Sequence, residues 1–152
     1  MVGGWTNFSE NSVCFLIGSR GRSIYLRLMS WKSIRLELAR TKEFPDGSAS
    51  RAYLLHLPVS EAGVIDESQL RAAPSRATVR RFWPNEPDMS GYVVRKPAGW
   101  AFSYKVGDED DELIFHLESH RLQEGEYVTL TEPDGRQFPF RVIKVASLAK
   151  AA

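Results

Sequence analysis

Cysteine is almost missing from this sequence: Cys14 is the only one in 152 residues. An internal disulfide is therefore excluded, and stability must come from a packed core. Such cysteine usage fits a reducing, cytoplasmic compartment. No apolar run approaches the ~20 residues a helix needs to cross a bilayer. The first residues lack the basic start and apolar stretch of a signal peptide. Neither charge sign dominates, since 20 Lys and Arg face 19 Asp and Glu. A general pull toward nucleic acid or an anionic membrane is not expected from that balance. Catalytic signatures are lacking as well. There is no G-x-S-x-G elbow, no glycine-rich phosphate loop and no dinucleotide fingerprint. Cys14 lies in an apolar run, where a thiol is usually inert. No cofactor is expected.

What is present is a succession of short strands with tight turns. The densest aromatic stretch is Gly91 to Lys105. Successive side chains of a strand point to opposite faces, so Trp100, Phe102 and Tyr104 share one face, and that stripe reads as core. Tyr92-Val93-Val94-Arg95 forms the other arm of this hairpin, rich in β-formers. Between the arms, Lys96-Pro97-Ala98-Gly99 predicts a three-residue loop closed by a bulge at Gly99. The proline-to-glycine spacing recurs at Phe44-Pro45-Asp46-Gly47 and Glu132-Pro133-Asp134-Gly135.

Ile34, Leu36 and Leu38 alternate with charged residues, as a half-buried strand does. The return arm places Tyr53, Leu55 and Leu57 on the core side and Leu54 and His56 on the other. One short helix is expected next. Asp66 caps it, Gln69 occupies the third position of a capping box, Ile65 staples to Leu70, and Pro74 ends it. Thr78 to Trp83 reads as a further strand, and Pro84 to Asp88 as an irregular link. Leu113, Phe115 and Leu117 alternate with His116, Glu118 and His120. A last hairpin pairs Glu126–Leu130 with Phe138–Val145.

The fold class expected is thus mainly β: a small antiparallel barrel or sandwich of successive hairpins with one inserted helix. The ending, Gly125 to Val128 through Asp134-Gly135 to Val145, resembles a hairpin common in SH3-like and related small barrels. That resemblance covers about a seventh of the chain and implies architecture alone. The domain reading is an N-terminal extension over 1–28, either a β-hairpin or loosely ordered, with Met29 as a possible natural start. A single β domain follows over 29–147, with a frayed tail over 148–152.

Three functional expectations follow. The leading one is a non-enzymatic barrel that binds a partner, most simply a protein. Trp83 beside the rigid proline link is its anchor, with Arg80, Arg81, Tyr92 and Arg95 nearby. A Trp in that setting is as often a plug for one end of a barrel. The second is a metal-dependent enzyme. Alternate residues of one strand can aim His116, Glu118 and His120 to one side, a set that zinc or non-haem iron accepts, though the spacing matches no established signature. The third is a nucleic-acid-binding barrel, with Arg80 and Arg81 on phosphates and Trp83 stacking on a base. The near-neutral net charge counts against it. The acidic run Asp108 to Glu112 lacks the spaced ligands and glycine of a calcium loop and reads as a solvated turn.

Overall fold

The computed structural model describes residues 30–97, 99–104, 112–114 and 121–148. The N-terminal extension with Cys14, most of the acidic run, and the segment with Phe115, Leu117, His116, Glu118 and His120 lie outside the described residues. Eight strands follow one another around a closed antiparallel barrel. They are β1 (Ser30–Leu38), β2 (Ser48–Val59), β3 (Thr78–Phe82), β4 (Met89–Lys96), β5 (Gly99–Ser103), β6 (Glu112–Ile114), β7 (Tyr127–Thr131) and β8 (Gln137–Ser147). One helix, α1 (Glu67–Ala72), and a 3-10 turn, Pro74–Arg76, stand between β2 and β3.

Alternation of facing residues builds most of the core. Ile34, Leu36 and Leu38 of β1 face Tyr53, Leu55 and Leu57 of β2, Val93 of β4, Trp100 and Phe102 of β5, and Phe140 and Val142 of β8, all buried. Tyr53 sits at the aromatic centre, with ring centroids 5.1 Å from both Phe102 and Phe140. Edge and tilted contacts of this kind add to the energy of area burial.

Parity breaks once, and the break explains an outlier. Arg35 pairs with Lys144, but the next residue, Leu36, pairs with Val142. Ile143 is the extra residue of a β-bulge. Phe140 and Val142 before it, and Val145 after it, can then all turn inward, while Ile143 remains 40% exposed.

One expectation is corrected by register. Lys96 pairs directly with Gly99, so only two residues separate the paired strands and no bulge intervenes there. Gly99 does take a positive φ, +139°. In β6, Ile114 lies opposite Trp100 and Leu130, whereas Leu113 lies opposite Ala101 and Thr131. At the C-terminal end, β8 continues to Ser147, and the Leu148 N–H donates to the Trp31 carbonyl at 3.1 Å.

The helix forms where its capping signals place it. The Asp66 carboxylate accepts from the Ser68 and Gln69 N–H groups at 3.0 and 3.2 Å. Gln69 closes the box in a different way, by donating its amide to Asp66 Oδ2 at 3.1 Å. The Asp66 N–H itself goes to the Pro58 carbonyl, 2.8 Å away, which fastens the insertion to β2. Ile65 and Leu70 are buried in the common core.

Candidate functional site

β3 and β4 separate the anticipated binding residues. Thr78 pairs with Tyr92, and Arg81 with Met89. Trp83 and Arg81 therefore lie toward one end of this strand pair, Arg95 toward the other. Trp83 is half-buried against Tyr53 and Phe140, with centroids at 6.1 and 6.3 Å. The Arg81 guanidinium covers the ring at 4.1 Å and meets Glu86 at 2.8 Å. Arg51 lies on the same side, 4.2 Å over Phe44 and 5.9 Å from the Trp83 ring. Arg80 pairs with Asp88 at 3.2 Å and sits over Phe82. Trp83 is thus packed on the core under arginine, the plug arrangement, rather than standing out as an exposed anchor. The ion pairs of Arg80 with Asp88 and of Arg81 with Glu86 reach to the proline-rich link itself.

Tyr92 and Arg95 enter a different construction. β4 has eight residues and β3 five, so β4 runs on past the point where β3 begins. Beyond Tyr92 its neighbour is the helical insertion, tied in by the Val93 N–H to the Ala77 carbonyl at 2.8 Å. Strand and helix cannot close on each other as two strands can. Between them lies a cleft of about 530 Å³, lined by Leu70, Arg71, Pro74, Ser75 and Tyr92 to Arg95. Its walls are largely apolar, and Tyr92 is 50% exposed there. Arginines flank it. Glu67 bridges both, with Oε1 at 3.4 Å from Arg71 Nη1 and Oε2 at 3.9 Å from Arg95 Nε. Two guanidiniums thus share the Glu67 carboxylate at this rim.

A second cleft, of about 470 Å³, is polar. Lys32, Ser60, Glu61, Leu122, Gln123, Glu124, Val145 and Ser147 line it. Lys32 is 6% exposed, although charged. It shares the inward parity of Ile34, because residues two apart on a strand share a face. Its one partner among the described residues is Glu61 Oε2, at 3.4 Å. Sequence reading passed over Lys32, since a lysine at the start of an amphipathic strand looks like an outward residue. The available signal was its even spacing from Ile34, Leu36 and Leu38.

Among the described residues, no group of three or more His, Cys, Asp and Glu stands close enough to hold a metal ion. His116, Glu118 and His120 lie outside those residues. His56 is half-buried on the outward side of β2, opposite Thr78. Among the described residues no helix is long and apolar enough to cross a membrane. Comparison with family models, curated proteins and solved structures returns no match. The fold therefore defines a class, a small antiparallel barrel with a helical insertion, and no family beyond it.

Proposed function

We propose that this chain is a cytoplasmic, non-enzymatic binding protein whose partner is another protein, held in the cleft between the helical insertion and β4. The observation that carries this reading is the cleft itself: Tyr92 stands half-exposed on its wall, beside Leu70, Pro74 and Val94. Most large aromatic side chains of the barrel are spent in its core. Tyr and Arg are the residue types that most often anchor protein interfaces, and both are present here. The occupant is an extended segment with apolar side chains and at least one carboxylate. Apolar groups fill the walls, and a carboxylate finds Arg71 and Arg95 at the rim, where Glu67 already sits between them. Charge-assisted pairing of guanidinium with carboxylate gives orientation as well as attraction.

Selection from a random peptide library displayed on phage, against the intact protein, tests the reading. Enriched peptides should combine aliphatic or aromatic residues with Asp, Glu or a free C-terminus. Absence of enrichment, or enrichment of basic peptides, would contradict it.

A further inference from the structure

We propose that Lys32 and the polar cleft around it form a second site, separate from the peptide cleft, that binds a small oxyanion, a carboxylate or a phosphate. The argument begins with the cost of the lysine. A lysine side chain only 7% exposed loses most of its hydration, and one ion pair repays that only when the geometry is close and the remaining donors are satisfied. Neither condition holds. The Lys32–Glu61 contact is 3.4 Å long, and the Glu61 side chain is 63% exposed. An ammonium offers three donors, and Glu61 is its one partner among the described residues. A methionine of similar length would fill the position without that penalty. The lysine is therefore explained by what its remaining donors can hold.

The walls are fixed in advance. The Leu122 N–H donates to the Gly63 carbonyl at 2.9 Å, and Gln123 Nε2 to the Glu61 carbonyl at 2.9 Å. Both bonds tie the 121–126 segment to the Ser60–Gly63 turn. The Ser60 hydroxyl holds that turn by accepting from the Ala62 and Val64 N–H groups. Of the two carboxylates present, Glu124 is committed to the Val145 N–H at 3.0 Å. Glu61 is the exposed one. It occupies the position an incoming oxyanion would take on Lys32, and it can swing into water. Glu61 is thus an internal competitor, and removing its charge should strengthen binding rather than weaken it.

Two variants then carry opposite signs. Isothermal titration of the full chain with inorganic phosphate, acetate, succinate and citrate, each at constant ionic strength, should show saturable binding of at least one. The phosphate arm and the carboxylate arms separate the two sources. Glu61→Gln should tighten that binding by roughly tenfold, as expected for loss of one adjacent like charge. Lys32→Met should abolish it while melting at or above the wild-type temperature, because it removes a buried charge. No binding by the wild type, unchanged binding in Lys32→Met, or weaker binding in Glu61→Gln would each overturn the proposal. If Lys32→Met fails to fold, the lysine is structural and the proposal falls on that result too. Glu61→Gln alters an exposed turn residue and gives its answer independently.

Discussion

Single residues at the ends and crossings of elements carry consequences that can be measured. Asp66 is the clearest. Burial raises its carboxyl, but hydrogen bonds from the Ser68 hydroxyl, the Gln69 N–H, the Gln69 amide and the Ser68 N–H together outweigh burial and hold it below its ordinary value. A carboxyl that titrates lower when folded contributes stability that is complete above its unfolded value. That contribution disappears as pH falls through the folded one. Asp66→Ala should cost about 1 kcal/mol at neutral pH, as loss of an N-cap does. The difference from wild type should shrink in acid, as urea unfolding at several pH values would show. Glu132 has the opposite sign. Desolvation raises its carboxyl, against the pull of Arg136 and Arg81. The folded state then favours the protonated form, so Glu132 weakens the fold above that range and the penalty lifts as pH falls. Glu132→Gln should leave neutral-pH stability within about 0.5 kcal/mol of wild type, or raise it, because an ion pair to an exposed arginine contributes little. Gly91 carries a steric constraint instead. A Cβ there would lie 2.1 Å from the Ser103 carbonyl oxygen, which belongs to backbone and cannot step aside. Gly91→Ala should destabilise by more than about 3 kcal/mol, in the range of severe core disruption, and circular dichroism melting would register it.

At the scale of elements, the helical insertion matters most to the proposed function. A helix of six residues does not persist alone; α1 stays because Asp66 caps it, Pro58 anchors it and Leu70 is buried. Leu70→Ser should release the insertion while leaving the barrel closed. Amide exchange should then accelerate over residues 66–76 and remain slow in β2 and β8. The elements were legible to different degrees. The helix was, because a capping residue, a staple and a terminating proline agree. Strands β1, β2 and β5 were, because alternation with one buried face specifies which residues turn inward. The bulge at Ile143 was not, because one inserted residue is invisible to a pattern of period two. Lys32 was hidden by its charge, and the apolar cleft by its origin, the length mismatch between β3 and β4, which no local pattern records. Of the anticipated binding residues, Tyr92 and Arg95 meet in that cleft, while Trp83, Arg80 and Arg81 lie toward the other end of the β3–β4 pair.

For the barrel as a whole, one aromatic cluster ties distant strands together. Tyr53, Phe102 and Phe140 come from β2, β5 and β8, so loss of one is felt around the ring of strands. Phe102→Ala should cost about 3–5 kcal/mol, a large part of the stability of a typical domain. The midpoint of denaturant unfolding should fall accordingly. The binding function proposed here is a property of the outside of that barrel and leaves the core untouched. Two exposed tyrosines allow a controlled test, because Tyr92 and Tyr127 are similarly accessible, at 50% and 56%, and only Tyr92 lines the cleft. Fluorescence anisotropy of a library-selected peptide should be measured against wild type, Tyr92→Ala and Tyr127→Ala. The account predicts at least a tenfold loss of affinity, about 1.4 kcal/mol, for Tyr92→Ala, and no change for Tyr127→Ala. Equal affinity in Tyr92→Ala and wild type would contradict it.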